Sequence, residues 1–260
     1  MKRILFLTLI LTASLLPAQV APPNEAGVSM GHLHLNVRDV EAAKRFWILL
    51  GAKPVKFGES TIMQIPGNLV FLRKAEPTGG SVGTVINHAG IRMKNVAAEF
   101  ERLTSAGVKG EKGARWPQQA FVYSEDGLKV ELFEDKTMSV PMMNHHVHFF
   151  VPEKSVTELQ AWYVKTFGGV AAERTFKVVD FPGGTLTISG VTTPTTKTQG
   201  TALDHIGFEV KNLEEFCKKL EASGIKLDRP FTKASPQLSL AFFTDPWGTY
   251  IELTEGLNKF

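Results

Sequence analysis

The chain is poor in cysteine and has no excess of either charge. Its 260 residues include one cysteine, Cys217, which excludes an internal disulfide and a zinc site built from cysteines. Lysine and arginine together number 29, against 26 aspartates and glutamates. This near balance offers no electrostatic footprint for nucleic acid or for an anionic membrane surface. We therefore expect a small-molecule substrate and no nucleic-acid partner.

The apolar run at the start of the chain is too short for a membrane anchor. It extends from Ile4 to Leu16, fewer than the roughly 20 residues that a membrane-spanning helix needs. Lys2 and Arg3 precede the run, and the small residue Ala18 follows it, which is the layout of a secretory signal peptide. We predict a signal peptide over residues 1–18, a periplasmic or secreted mature protein, and no stable membrane insertion after cleavage.

Histidine, in contrast, recurs at the same position of four similar sequence segments. All seven histidines lie in four short segments, which read GHLHLNV, NHAGIRM, HHVHFFV and DHIGFEV. His32, His88, His146 and His205 occupy the same column of these segments, at separations of 56, 58 and 59 residues. Because neutral imidazole is the commonest metal-binding side chain, this repetition predicts one metal site or two.

Each histidine segment begins a repeated structural unit. Apolar and polar residues alternate in it, which predicts a strand with one face on a core and the histidines on the other face. A helix is predicted after each strand, with Asp39, Asn95 and Asn212 as N-caps, and a glycine follows each helix. Three short strand-like stretches complete the unit, so we predict an α+β fold of four tandem βαβββ modules. The predicted helices span residues 39–50, 95–106, 153–167 and 212–223.

The linkers between the modules differ in composition. Glycine-rich residues 77–83 join the first two modules, and threonine-rich residues 192–201 join the last two. Between these pairs lies Asp135 to Met143, which contains a proline. We predict a domain boundary there, with two modules in residues 27–136 and two in residues 142–257.

A carboxylate is repeated only in the second and fourth modules. Four positions after the glycine turn before each last strand stand Phe71, Glu131, Thr187 and Glu252. Both glutamates alternate with apolar neighbours, so they share the face of the histidines. Pairing any odd module with any even one gives two histidines and one carboxylate, a set that suits Zn, Mn or Fe(II). We expect one or two divalent metal ions per chain, and the predicted ligands are His32, His88, Glu131, His146, His205 and Glu252.

Further polar residues are predicted to line the metal face. His34 and His148 follow a predicted ligand by two residues, which places them about 7 Å along the same face. Tyr250 and Lys129 precede the two glutamates by two positions. We predict His34, His148 and Tyr250 as catalytic candidates, for acid–base work or substrate binding, with a pocket-wall role as the alternative. His145 alternates to the opposite face, so we expect it to be structural.

These features together resemble the vicinal oxygen chelate superfamily. The resemblance rests on the fourfold strand–helix–three-strand layout, on the segments DHIGFEV and DPWGTYIEL and on the His/His/Glu sets, and it covers nearly all of the predicted mature chain. It implies two open-barrel domains, each formed by a pair of modules around a metal. Carried over, the family's ligand positions are His32, His88 and Glu131 in one domain, and His146, His205 and Glu252 in the other.

The family includes glyoxalase I, bleomycin-resistance proteins and extradiol dioxygenases. The resemblance implies an exported glyoxalase-like lyase or isomerase that acts on a small substrate chelated through vicinal oxygens. Glyoxalase-like members carry a further carboxylate where this chain has Phe71 or Thr187, so an extradiol-type ring-cleaving dioxygenase is the second hypothesis. A non-catalytic protein that binds a small molecule or metal is the third. The oligomeric state is left open.

Overall fold

The computed structural model describes residues 20–259, so the predicted signal peptide lies outside the described residues. This part of the chain contains sixteen strands, four α-helices and two short 3₁₀ helices, the latter at Glu153–Ser155 and Leu257–Lys259. The strands are β1 Val28–Val37, β2 Lys53–Phe57, β3 Ser60–Ile65, β4 Asn68–Lys74, β5 Ile86–Met93, β6 Lys109–Lys112, β7 Gln119–Tyr123, β8 Lys129–Glu134, β9 Met142–Pro152, β10 Val170–Glu173, β11 Lys177–Phe181, β12 Gly184–Val191, β13 Leu203–Val210, β14 Arg229–Lys233, β15 Ser239–Thr244 and β16 Tyr250–Glu255. The helices are α1 Val40–Leu49, α2 Val96–Ser105, α3 Val156–Phe167 and α4 Leu213–Ala222. Within residues 20–259 no helix combines the length and apolarity needed to cross a bilayer.

The four predicted βαβββ modules are present in this order along the chain. Two of the predicted N-caps form: the Asp39 carboxylate accepts hydrogen bonds from the backbone N–H groups of Glu41 and Ala42, and Asn95 caps α2 in the same way. Asn212 behaves differently, because its φ of 57° is left-handed and its side chain makes no capping bond. The first N–H group of α4 donates instead to the Glu255 carboxylate, so the predicted cap at Asn212 is wrong.

The modules pair in an order that differs from the prediction. Strands form two eight-stranded sheets, with the orders β14-β15-β16-β13-β1-β4-β3-β2 and β10-β11-β12-β9-β5-β8-β7-β6. The first module therefore pairs with the fourth, through antiparallel β1 and β13, and the second with the third, through antiparallel β5 and β9.

This order corrects the expected pairing of the two modules within each predicted domain. Each sheet takes four strands from residues 27–136 and four from residues 142–257. The stretch 135–143 joins two strands of one sheet: the N–H of Lys94 donates to the carbonyl of Pro141, and that of Asp135 to the carbonyl of Met93. This short link keeps β5 and β9 adjacent, which is the physical reason for their pairing.

A shared apolar core lies on the faces of the two sheets that turn away from the histidines. Large buried side chains such as Trp47, Phe149 and Phe167 belong to it, and Phe167 stacks on Phe208 with ring centroids 4.3 Å apart. The helices pack aromatic residues such as Phe46 and Phe216 against this core. The opposite strand faces are left for the polar side chains of the site.

Candidate metal centres

Strand register brings the histidines together in two places. Across the pair β1 and β13, His32 lies opposite Gly207 and His34 lies opposite His205. The pair β5 and β9 repeats the pattern, with His146 opposite Gly90 and His148 opposite His88. In each pair, a His-x-His segment faces a His-x-Gly segment.

The two glycines are needed because an imidazole lies directly over each of them. A Cβ atom at Gly207 would lie 1.9 Å from Cε1 of His32, and one at Gly90 would lie 2.1 Å from Cε1 of His146. Neither glycine is among the residues predicted for the site. The signal was present in NHAGIRM and DHIGFEV, where glycine replaces the second histidine of the other two segments.

The first cluster, here called the β1/β13 site, consists of His32, His34, His205 and Glu252. One glutamate oxygen, Oε2, lies 2.9 Å from Nε2 of His32 and 2.9 Å from Nε2 of His205. Nδ1 of His34 lies 3.9 Å from the same oxygen. On its other side, His205 contacts the Asp204 carboxylate through Nδ1 at 2.6 Å. A carboxylate behind a ligand histidine fixes the orientation of its ring.

The second cluster, the β5/β9 site, consists of His88, Glu131, His146 and His148. Oε2 of Glu131 lies 2.9 Å from Nε2 of His88 and 3.2 Å from Nε2 of His146. Nδ1 of His148 lies 3.2 Å from Nε2 of His88. The side-chain amide of Gln119 donates a hydrogen bond to the second oxygen of Glu131 at 2.6 Å. This bond holds the carboxylate in place beside the histidines. Gln119 was not among the site residues predicted from the sequence.

All six predicted ligands thus lie in these two clusters, but the predicted sets are wrong in their pairing. The resemblance grouped His32 with His88, and His146 with His205. The structure instead groups His32 with His205, and His88 with His146, because the sheets pair the outer modules and the inner modules. Each cluster still has two predicted histidine ligands and one glutamate, since each pair combines an odd and an even module.

The charge states in the β5/β9 site match those that a metal requires. Burial alone would raise the pKa of Glu131, but the imidazoles of His146 and His88 outweigh it and hold the pKa well below its usual range. Burial lowers the pKa of His88 to about 4. At neutral pH the site therefore offers an ionised carboxylate and a neutral imidazole, the forms that bind divalent metals.

Two details indicate that a cation fits between these groups. Nδ1 of His88 lies 2.9 Å from the side-chain oxygen of Asn87, an acceptor, so the proton of the neutral ring is on Nδ1. The lone pair on Nε2 then faces the Glu131 carboxylate, an unfavourable contact that a cation would relieve. In addition, Nε2 of His146 is buried and, although it lies 3.2 Å from the Glu131 carboxylate, it makes no hydrogen bond of acceptable geometry within residues 20–259. The donor set of imidazoles and carboxylate suits Zn, Mn or Fe(II).

The electrostatics of the β1/β13 site differ at one histidine. Burial would lower the pKa of His205, but its contacts with Asp204 and Glu252 raise the pKa above the ordinary value. Burial lowers the pKa of His34 to about 4, and its buried Nδ1 has no hydrogen-bond partner in the described part of the chain. The ligand atoms in each cluster of four residues lie within 4.8 Å of one another. His34 and His148 are therefore placed to act as fourth ligands as well as acid–base groups.

The two sites differ most at one position of the repeat. The even modules have a glutamate there, and the odd modules have Phe71 or Thr187. In the β1/β13 site this residue is Phe71, which lies beside His34 on the neighbouring strand. Its ring stacks on that imidazole at 5.6 Å and lies 5.0 Å from the ring of His32. It packs into a small apolar cluster that includes Ile62 and Leu257. The ring of Phe71 therefore covers part of the β1/β13 site.

The small residue Thr187 occupies the corresponding place beside His148 in the β5/β9 site. Here the metal face opens into a cavity of about 890 Å³ that His88, His146 and Glu131 help to line. A cavity of this size accommodates a small organic substrate.

His145 lies on a different side of the strand from the one predicted. His146 pairs with Gly90 and Asn144 with Ile91, so His145 is the extra residue of a β-bulge. A bulge redirects the side chain that it contains, and His145 lines the cavity with its Nδ1 2.9 Å from Nδ1 of His146. Burial lowers its pKa to about 3. The expectation that His145 points away from the metal face is therefore wrong.

The other predicted side chains lie at the rims of the two clusters. Tyr250 packs its ring against that of His205, with centroids 5.6 Å apart, and burial raises the pKa of its phenol. The ammonium group of Lys129 lies 3.9 Å above the ring of Phe121, which in turn contacts the ring of His88. Tyr250 is thus adjacent to a predicted ligand, whereas Lys129 is separated from its site by an aromatic ring.

The chain matches one protein family over most of its length. The model of the Glyoxalase/Bleomycin resistance protein/Dioxygenase superfamily matches residues 29–132 and 144–253. The chain belongs to this superfamily. The predicted family and its fold of tandem βαβββ modules are therefore confirmed.

Solved structures of the superfamily share the fold at low sequence identity. Glyoxalase I from Zea mays is 16% identical, with 89% of this chain and 94% of that chain covered and a TM-score of 0.71. A protein from Bacillus subtilis, named as a candidate dioxygenase, is 14% identical, with coverages of 92% and 86% and a TM-score of 0.68. A comparison with curated proteins gave no match. Identities this low support a shared fold and leave the reaction to be argued from the site.

Proposed function

We propose that this superfamily member is an exported, divalent-metal-dependent enzyme whose reaction takes place at the β5/β9 site. The observation that carries the proposal is the His88, His146 and Glu131 set at the wall of a cavity of about 890 Å³. Three protein ligands leave positions for substrate on a catalytic metal. Export rests on the signal-like sequence of residues 1–18.

The reaction class that we propose is a glyoxalase-like lyase or isomerase reaction on a small substrate with two neighbouring oxygens. A divalent metal bound here would supply Lewis-acid polarisation of those oxygens. The side chains of the chain would orient and transfer protons. Nε2 of His148 contacts the hydroxyl of Ser189 at 2.8 Å, and the pKa of His148 is held well below its ordinary value by burial. The ring is therefore neutral and sits at the cavity wall, where we propose that it accepts a hydrogen bond or a proton from substrate.

The absence of a carboxylate at Thr187 favours a second candidate. A set of two histidines and one carboxylate with open positions is also the arrangement of non-haem Fe(II) oxygenases. An extradiol-type dioxygenase would consume O₂ with a catechol, and a lyase or isomerase would not. An oxygen electrode with Fe(II)-loaded protein and catechols separates the two. A third candidate, a non-catalytic binding protein, is disfavoured by the presence of two complete ligand sets.

Metal analysis of the purified mature protein tests the proposal. We expect up to two divalent ions per chain. His88→Ala should lose the ion of the β5/β9 site, His205→Ala should lose the ion of the β1/β13 site, and the double variant should lose both. Activity in a screen of vicinal diols and 2-oxo compounds should disappear in His88→Ala and persist in His205→Ala. Failure of the unmodified protein to bind any metal under replete conditions would contradict the proposal.

Export is tested separately, because it does not depend on the site. The full-length chain should be recovered from the periplasm or the medium, and its N-terminal sequence should begin near residue 19. Recovery of the uncleaved chain only from the cytoplasm would contradict export and leave the metal results unaffected.

A further inference from the structure

The cavity at the β5/β9 site contains one guanidinium that no carboxylate neutralises. Three arginines line the cavity. Arg92 pairs with Asp135 at 3.4 Å, and Arg174 pairs with Asp180 through two contacts of 3.1 Å and 2.5 Å. Arg115 has no ion-pair partner within residues 20–259, and its guanidinium lies 4.5 Å above the ring of Trp116. A charge at a cavity wall without an internal partner is available to an anionic ligand.

Aromatic rings connect this guanidinium to the metal-binding face. The ring of Trp116 meets that of Phe176 edge to face, with centroids 6.3 Å apart. Phe176 in turn lies 5.0 Å from the ring of His148. The ring of Phe150 lies at the same distance from His148. The wall from Arg115 to the histidines is therefore largely apolar and aromatic, which suits a flat ring.

The other half of the molecule lacks these groups at the corresponding positions. Arg115 and Trp116 precede Glu131 by sixteen and fifteen residues. At the same distances before Glu252 stand Pro236 and Gln237. The counterpart of Phe176, counted from Phe71 in place of Thr187, is a serine. The guanidinium and its aromatic wall thus belong to one cavity and are not inherited features of the repeat.

We propose that the β5/β9 cavity selects aromatic carboxylates, with the carboxylate on Arg115 and the ring against the wall that Trp116 and Phe176 form together. The planar guanidinium can donate two parallel hydrogen bonds to a carboxylate, and the far end of the ligand then points to His148 and the metal face. This inference names the substrate class for the proposed function and rests on it for the reaction. Binding of the anion itself does not require the metal.

Binding measurements with simple probes test the selection. We would titrate the mature protein, both loaded with Zn and metal-free after chelation, with 3-phenylpropanoate, its neutral amide 3-phenylpropanamide and ring-free butanoate. Calorimetry or ligand-observed NMR should show that 3-phenylpropanoate binds most tightly to both forms. Arg115→Gln should weaken its binding about tenfold, the usual size for a lost hydrogen bond to a charged group. Arg115→Lys should restore part of the loss.

Arg229 supplies a matched control. It lies 5.3 Å above the ring of Phe242 near the β1/β13 site, so it is also an arginine on an aromatic ring but belongs to the other half. Arg229→Gln should leave the affinity for 3-phenylpropanoate unchanged, and circular dichroism should show that each variant is folded.

Three results would each overturn the inference. They are equal binding of the acid and the amide, unchanged affinity for 3-phenylpropanoate in Arg115→Gln, and a loss of that affinity only in Arg229→Gln. The metal-free titration keeps this outcome separate from that of the proposed function. If the protein bound no metal but kept its preference for the acid, the proposed function would fail and the inference would stand. Normal metal binding without a preference for the acid would overturn the inference and leave the proposed function in place.

Discussion

At the scale of single residues, the site depends on glycine as much as on histidine. Gly90 and Gly207 lie under the imidazoles of His146 and His32, with no room for a methyl group. The ligand histidines can turn towards the glutamates only because the opposite strand has no side chain at these points. Loss of this space should therefore affect metal binding before it affects the fold.

Gly90→Ala is expected to displace the ring of His146 and weaken metal binding at the β5/β9 site. Overpacking of this kind costs about 1–3 kcal/mol, which corresponds to a roughly 5- to 150-fold loss in affinity if it falls on the bound state. A competition titration with a zinc chelator measures it. Gly79→Ala is the control, because a Cβ there would meet no atom within 4 Å. Equal zinc affinity in Gly90→Ala and the unmodified protein would contradict this account.

The buried histidines also make the stability of the metal-free protein dependent on pH. Burial lowers the pKa of His34 and of His88 to about 4, against 6.5 in the unfolded chain. Between these values the unfolded state binds more protons, so stability falls as the pH drops from about 6.5 to about 4. His205 contributes in the opposite sense, because its pKa is raised, but a single group cannot offset the others.

Thermal melts of chelated protein between pH 7 and pH 4 measure this dependence. We expect the melting temperature to fall over that range and to fall less steeply in His88→Gln, in which one titrating group is absent. A melting temperature that rises towards pH 4 would show that the burial of these imidazoles does not control the acid response.

At the scale of strands, one residue on the last strand of each odd module, β4 or β12, decides whether a site is open. Phe71 on β4 packs against the histidines of one site, and Thr187 on β12 lines the cavity of the other. The two residues are equivalent in the repeat, so their exchange should transfer the property.

Thr187→Phe is expected to fill the cavity beside His148 and abolish turnover while metal binding at the β5/β9 site persists. The added ring occupies the space that substrate needs but replaces no proposed ligand. Metal content and activity, measured on the same preparation, check this. Thr187→Val is the control, because it removes the hydroxyl at nearly constant volume and should retain activity. Full activity in Thr187→Phe would place the reaction elsewhere.

The elements themselves were largely predictable, and the exceptions depend on contacts between strands. Alternating apolar residues revealed the strands and the face that carries the ligands, and glycines marked the helix ends. His145 was assigned to the wrong face because its bulge exists only in the pairing of β9 with β5. Asn212 adopts a left-handed conformation because Glu255 on β16 takes over the role of the cap. Neither contact is visible in a local pattern.

At the scale of the whole molecule, the sequence restricted the pairing of modules without deciding it. A His-x-His segment can face only a His-x-Gly segment, since any side chain in place of the glycine would collide with the imidazole above it. Each odd module must therefore pair with an even one. Pairing the first module with the second satisfies this rule as well as pairing it with the fourth. The choice is made by the short connection from β8 to β9, which hydrogen-bonds to the end of β5 and keeps the inner modules together.

A split of the chain after Lys136 distinguishes these two pairings. In the observed topology, residues 20–136 hold β1 and β5 without their partners β13 and β9, although both strands are central in their sheets. We expect this fragment to aggregate or remain unfolded, because it exposes two apolar sheet edges. Residues 137–260 should behave in the same way, and co-expression of the two should yield a soluble 1:1 complex with the metal content of the intact protein. Size-exclusion chromatography with metal analysis measures both outcomes. A folded, monomeric fragment 20–136 that binds one metal through His32, His88 and Glu131 would contradict the observed pairing.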